Sequence, residues 1–308
     1  MLAVQKPDLQ QILPYLPDAV SVILKGLSDR QLKGLQEIRL RSDRPLALRI
    51  GGREEHFALN VSADFLQQSL RLLSSNSFYA MEEQLKNGFI TLAGGHRAGM
   101  VGRAVLKDGK IATLTDISGI NLRLARFVKD AAEEIKPYLY ENGELHNALI
   151  ISPPGAGKTT VLRDLAYCLP HTISVVDERG ELAGSFNGHH SLPLGAGVDV
   201  LDGCPKAEGI NLLLRSMGPE VILCDEIGSK DDAEAILAAV TSGVKIIASA
   251  HGGSIEQVID KPNLARLLND KVFGRLLLLG AQPRVGSLLA VYNQNLIALY
   301  ERREEDDK

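Results

Sequence analysis

Residues 147–169 read NALIISPPGAGKTTVLRDLAYCL, and the fold is decided here. Ala148-Leu149-Ile150-Ile151 is a short apolar run of the kind that a parallel sheet buries on both faces. From Lys158 to Cys168 apolar residues recur at helical spacing. Between the two, Gly155 and Gly157 let the backbone bend so that its N–H groups point inward at phosphate oxygens. Lys158 adds a full positive charge. Thr159 opens the helix, where its hydroxyl is placed to ligate Mg²⁺ and the helix N-terminus presents about half a positive charge to a phosphate. The pattern is G-x-x-x-x-G-K-[ST] with Ser152 at the first glycine position. Pro153-Pro154 holds φ near about −65° directly after it, so serine is compatible with the turn. The residues predicted to contact ATP are Ser152, Pro153, Pro154, Gly155, Ala156, Gly157, Lys158, Thr159 and Thr160.

Downstream the order is strand, loop, helix, repeated, as a mostly parallel α/β sheet requires. Thr172–Val176 is read as a strand ending in Asp177-Glu178-Arg179-Gly180-Glu181, and Val221–Cys224 as a buried strand delivering Asp225-Glu226. Asp231–Thr241 reads as a helix and Lys245–Ser249 as a strand with His251 just past its tip. Residues 183–206 carry Gly184, Gly188, Gly195, Gly197, Gly203, Pro193 and Pro205, and read as a long functional loop. His189-His190 within it lacks zinc-ligand spacing and reads as loop polarity. Val272–Leu278, Ser287–Tyr292 and Leu296–Tyr300 resemble antiparallel closing hairpins, and ERREEDDK at 301–308 a solvated tail.

Ligands of open α/β sheets bind outside the carboxyl ends of the strands, where these acidic residues fall. Asp225 follows four apolar residues as a Walker B carboxylate does, and is assigned to Mg²⁺ through a water while Thr159 binds the ion directly. Glu226 is then free to orient and polarise the attacking water, with Glu178 as the rival base. Either glutamate also reads as a structural carboxylate at a strand end. His251 is a candidate γ-phosphate sensor.

Upstream, prolines at Pro7, Pro14 and Pro17 break residues 1–34 into short helices. Glu37–Arg41 and Leu46–Ile50 alternate polar with apolar, Gly51-Gly52 offers a turn, and His56–Leu59 reads as a third strand. Ser62 is placed to cap one helix and Ser77 another that stops at Gly88. Phe89–Leu92, His96–Val105 and Ile111–Leu114 read as strands, with Asp108-Gly109 as a hairpin turn. Asp130–Tyr140 is predicted helical, and Tyr140–His146 a connector, so residues 1–145 form a smaller α+β domain and 146–308 the P-loop domain. Arg97, Arg103, Arg123 and Arg126 lie on strand-like segments around a glycine cluster. They read either as solvated surface charges beside close strand crossings or as groups that face a nucleotide.

Composition narrows the function. The chain has 308 residues, 45% of them hydrophobic, which suffices for a packed core in more than one domain. Of its 34 basic and 38 acidic residues, residues 1–145 hold 19 and 17 and the remainder 15 and 21. Neither part carries the basic excess of a general nucleic-acid binder. Cys168, Cys204 and Cys224 form no C-x-x-C pair, so a disulfide framework or zinc ribbon is not indicated and a reducing cytosol fits. MLAVQKPDLQ at the start lacks a long apolar region, and no run reaches the roughly 18 apolar residues of a membrane span. The expectation is a soluble, cytoplasmic chain able to dock on a membrane complex.

Four motifs in this order resemble the secretion-ATPase superfamily of type II and type IV systems: the P-loop at 152–159, the acidic run 177–181, residues 214–228 around Asp225-Glu226, and residues 241–251 ending in His251. They match its Walker A, Asp box, Walker B and His box. Asp225-Glu226 departs from the glycine-glutamate common there, and Glu178–Leu182 (ERGEL) is similar to a narrower branch, the stage III sporulation protein AA family. That likeness extends to Glu37–Arg41, Gly88–Leu92, Gly94–Arg103 and Ile117–Arg126, nearly the whole chain. The resemblance implies a RecA-like P-loop ATPase domain and a homo-hexamer. It also implies work beside membrane-embedded channel components of a sporulation secretion-like complex, on the mother-cell side of a channel to the forespore. It places the first domain over the nucleotide, so that at least one of Arg97, Arg103, Arg123 and Arg126 acts as an arginine finger in its own or a neighbouring subunit, with Arg215 in reserve. The competing functions are a nucleic-acid-associated P-loop ATPase and a nucleotide-switched scaffold.

Overall fold

Where the sequence alternates polar with apolar, strands form with one face inward: β1 (Leu35–Arg41), β2 (Arg44–Ile50) and β3 (Arg53–Val61). Helices α1 (Asp18–Lys25) and α2 (Asp29–Gly34) precede them, α2 opening on a Ser28/Gln31 capping box. Helix α3 (Ala63–Leu73) follows, with the Phe65 N–H donating to Ser62 Oγ at 3.2 Å. Then come β4 (Phe89–Thr91), β5 (Arg97–Lys107) and β6 (Lys110–Arg123). They complete an antiparallel sheet ordered β3-β2-β1-β6-β5-β4, over a core that includes Leu24, Ile38, Leu48, Leu66 and Leu122. Asp108 and Gly109 both take positive φ, the backbone of the tight turn that the pair signals.

The computed structural model describes residues 3–4, 7–73, 88–186 and 188–303, so the helix expected after Ser77 and the end of the acidic tail lie outside the described residues. The chain separates into two compact units. The N-terminal unit comprises Val4–Arg126 and Gly184–Leu192; the second comprises Met1–Ala3, Phe127–Ala183 and Pro193–Lys308. Within the N-terminal unit the Gly94 N–H donates to Ser191 Oγ at 2.9 Å. A Cβ on Gly95 would lie 2.6 Å from the Gly184 Cα, which is why both positions are glycine.

The second unit is a twisted α/β layer. Its elements are β7 (Ala148–Ser152), α4 (Lys158–Cys168), β8 (Ile173–Asp177), β9 (Val198–Asp202), α5 (Lys206–Ser216), β10 (Val221–Cys224), α6 (Lys230–Thr241) and β11 (Lys245–His251). After the helices α7 (Ile255–Ile259) and α8 (Pro262–Asn269) come β12 (Arg275–Gly280), β13 (Ser287–Asn293) and β14 (Ala298–Glu301). Strand order is β9-β8-β10-β11-β7-β12-β13-β14, parallel from β9 through β12 and antiparallel thereafter. Alternate residues of β7 serve opposite cores. Ile150 packs with Val161, Leu162 and Leu165 of α4, while Leu149 and Ile151 pack with Ile236 and Leu264 on the other face. Burial on both faces explains the unbroken apolar runs. Among the described residues no helix is long and apolar enough to cross a membrane.

Four sequence expectations are corrected. Only Lys136–Leu139 of the helix expected over 130–140 is helical, because the buried Asp164 carboxylate accepts the N–H groups of Asp130 (3.1 Å) and Ala132 (2.9 Å) and winds the chain into turns. The loop expected over 183–206 contains β9, which pairs in parallel with β8 from Ile173↔Val198 to Asp177↔Asp202. Its half-buried edge position and glycine-rich approach hide it from periodicity. Finally, β12 is parallel to β7, since α7 and α8 return the chain as a crossover; only β13 and β14 close the sheet antiparallel. The hairpin Tyr140–Glu141/Glu144–Leu145, where a connector was expected, belongs to the second unit.

Candidate active site

The loop leaving β7 carries Gly155 at φ 74° and Gly157 at φ 97°, left-handed conformations that leave α4 starting at Lys158. Nothing lies within 4 Å of a Cβ built on Gly155, so its left-handed φ rather than crowding is what calls for glycine there. Ser152, at the first glycine position, is buried and its hydroxyl donates to Pro153 O at 3.0 Å; it fits the turn without strain. Lys158 is 6% exposed and reaches back along the loop, its Nζ 3.4 Å from Ser152 O.

Two strands away, Asp225 sits just beyond β10. Its Oδ2 accepts from Thr159 Oγ1 at 2.6 Å and its Oδ1 from the Ser249 hydroxyl. Ser249 Oγ in turn accepts the Glu226 N–H at 2.9 Å, and Ser249 O accepts the Ile227 N–H at 2.8 Å. One serine on β11 thus locks both acidic residues. Glu226 is held at φ 50°, a left-handed conformation unusual for a glutamate, and its carboxylate meets Arg179 at 3.1 Å. Glu178 pairs instead with Lys206 at the start of α5. His251 is the last residue of β11, in register with Ser152 at the mouth of the P-loop, and its backbone carbonyl accepts from Lys261.

Asp177 organises the acidic run. Buried at the end of β8, its carboxylate accepts N–H groups from Glu181 (2.7 Å), Leu182 (2.9 Å) and Ala183 (2.9 Å), coiling residues 178–183 into a tight loop. Arg163 of α4, also buried, donates to the carbonyls of Leu182 and Glu181 and pins that loop to the P-loop helix. Burial pushes the Asp177 carboxyl up, against the pull of the three N–H donors and Arg163, and pushes the Arg163 guanidinium down. A small cleft results, lined by Glu178, Arg179, Glu181, Lys206, Asp225 and Glu226.

The structure therefore gathers the P-loop, Asp225, Glu226, Glu178 and His251 along the carboxyl ends of the parallel strands of one unit. The four arginines belong to the N-terminal unit, where Arg97, Arg103 and Arg126 are engaged by neighbours. Arg97 lies over the Phe89 ring at 4.5 Å, and is opposite Arg123 in the β5/β6 register. Arg103 meets Asp116 at 3.8 Å on an exposed hairpin, and Arg126 donates to Lys33 O at 3.0 Å, burial pushing its pKa down. Sequence reasoning did not single out Ser249, Arg163, Arg179 or Lys206. Ser249 was detectable in principle, two residues before His251 on a strand that ends beside the P-loop. The partners of Arg163 are backbone carbonyls, which no side-chain motif announces. His190 of the His189-His190 pair is 3.1 Å from Ser185 Oγ through Nδ1, a contact within its own hairpin.

The family model described as "Sporulation stage III, protein AA" matches residues 6–299. The stage III sporulation protein AA of Bacillus subtilis is 39% identical over 295 residues, 93% of this chain and 96% of that protein. Among solved structures, the pilus retraction motor PilT superposes with a TM-score of 0.58 at 15% identity, covering 89% of this chain and 81% of that one. The Legionella pneumophila ATPase DotB superposes with a TM-score of 0.53 at 16% identity, covering 85% and 74%. The fold is that of these RecA-like ATPases.

Proposed function

Because the chain belongs to the sporulation stage III protein AA family, we propose that it is an ATP-hydrolysing motor of a sporulation secretion-type complex, working as a homo-hexamer beside membrane-embedded channel components. The observation that carries the hydrolysis reading is the 2.6 Å contact between Thr159 Oγ1 and Asp225 Oδ2, which joins the P-loop to a strand-end carboxylate. These are hard oxygen donors of the type Mg²⁺ takes, and among the described residues no group of three or more His, Cys, Asp or Glu is arranged as a metal cage. A divalent ion would thus be shared between Thr159, Asp225 and the substrate phosphates, where it would neutralise developing charge. Asp225→Asn tests this: Mg²⁺-dependent release of phosphate from ATP by the intact chain falls at least about tenfold. Equal turnover in the variant, or none in the wild type, would remove the reading.

In this mechanism the P-loop N–H groups and Lys158 hold the β- and γ-phosphates. Glu226, set in place by Ser249, orients water in line with the γ-phosphorus and takes its proton. We assign the base to Glu226 rather than Glu178 because its backbone is bonded to the same serine that holds Asp225, so ion site and base are aligned as one piece. His251, at the tip of the neighbouring strand, is assigned to sensing the γ-phosphate. Arg97, Arg103 and Arg123 are the candidate fingers supplied by a neighbouring copy, with Arg126 ranked below them because it already donates to Lys33 O.

A further inference from the structure

The hairpin tip between β12 and β13, residues 281–286, rests on the P-loop. The Gly286 N–H donates to both Ala156 O and Gly280 O at 3.1 Å. A Cβ on Gly157 would lie 3.1 Å from the Gly286 Cα and 3.2 Å from Val285 Cγ1. The tip is braced from its own side as well, by the ion pair of Arg284 with Glu134 and by the Arg284 N–H donating to Ser287 Oγ at 3.3 Å. Val285 is thereby held against the phosphate loop while remaining 54% exposed, an apolar face turned to solvent by a rigid support.

Strand order gives this face a meaning. Asp177 ends β8 and Asp225 follows β10, both on one flank of β7, whereas β12 and β13 lie on the opposite flank. A triphosphate in the loop has its γ end at the carboxylates, so its nucleoside end leaves on the side of the hairpin tip. A nucleobase offers a flat apolar face that needs a partner of the same kind.

We propose that Val285 is the platform on which the nucleotide's base rests, a contact that adds affinity for the nucleoside whatever its base; this rests on the P-loop reading above. The phosphates are then held by the loop and the base by the hairpin, two separable contributions to one affinity.

The test titrates the intact chain with Mg·ATP and, separately, with Mg·tripolyphosphate, which has the phosphates and no nucleoside. Val285→Ala weakens ATP about fivefold, the effect of removing two methyl groups from a half-covered contact, and leaves tripolyphosphate within about twofold. Val285→Leu restores ATP. Unchanged ATP affinity in Val285→Ala, or equal loss for both probes, overturns the platform, the second outcome meaning that the tip merely props the loop. A wild-type chain that binds neither probe would instead overturn the P-loop reading itself.

Discussion

Lys158 and Glu226 are proposed to act in two different ways. Lys158 is buried with its ammonium along the phosphate loop, so its charge acts at short range and with little screening. Lys158→Ala lowers ATP affinity about 100-fold by calorimetric titration, the loss of charge-assisted bonds to two phosphates. An unchanged titration would dismiss the loop's role. Glu226→Gln keeps the shape and the backbone bond to Ser249 but cannot take a proton. It binds Mg·ATP within a few-fold of wild type and turns over about 10² to 10⁴ times more slowly. If Glu178→Gln is the dead variant and Glu226→Gln turns over normally, the two glutamates exchange roles. That Lys158, Thr159, Asp225 and Glu226 lie near one another at strand ends was legible in the sequence, because each stands at a set distance from an apolar strand. For Ser249 the sequence offered only its place two residues before His251; the bridge it makes, to residues 23 and 24 positions away along the chain, came from the fold.

Among the elements, β5 carries a pH dependence at its entry. His96 is 3% exposed, its Nδ1 accepts the Ala125 N–H at 3.0 Å, and its Nε2 has no partner among the described residues. Burial lowers its pKa from 6.5 to about 4. The ring is neutral when folded and protonates only with difficulty, whereas in the unfolded chain it protonates freely once the pH falls below its ordinary value. Stability from this group is present above about pH 6.5 and is lost as pH falls through about 4, roughly 3 kcal/mol in all. Denaturant unfolding at pH 7.5 and 4.5 measures it, and His96→Gln flattens the difference; equal pH slopes in both proteins would show that other groups are responsible. Elements with both faces buried were read with near-correct limits, as β10 shows. The elements misread were those whose state depends on a distant partner: residues 130–135, turned by Asp164, and β9, which is a strand only because β8 lies beside it.

For the whole molecule, the arginine finger proposed to act in trans would make activity a property of the assembly. On that proposal ATP hydrolysis per chain rises with protein concentration, in step with any increase in oligomer mass in a native mass measurement, and an Arg→Ala change in the finger lowers turnover by about 10³ or more while sparing nucleotide binding. Four folded variants of Arg97, Arg103, Arg123 and Arg126 with wild-type turnover would return the cluster to the roles seen in its own sheet. By itself the sequence determined the fold class, the position of the phosphate loop and the acidic strand ends, because these depend on short-range rules: runs that suit a buried strand, glycines where φ must be positive, a lysine and a threonine at a helix start. Tertiary structure alone decided that residues 184–192 leave their sequence neighbours and pack in the N-terminal unit, and that the hairpin tip at 281–286 meets the P-loop. Both depend on close backbone approaches, Gly95 to Gly184 and Gly157 to Gly286, between segments far apart in the chain. A glycine in the sequence leaves room for a close approach, and only the folded chain supplies what approaches.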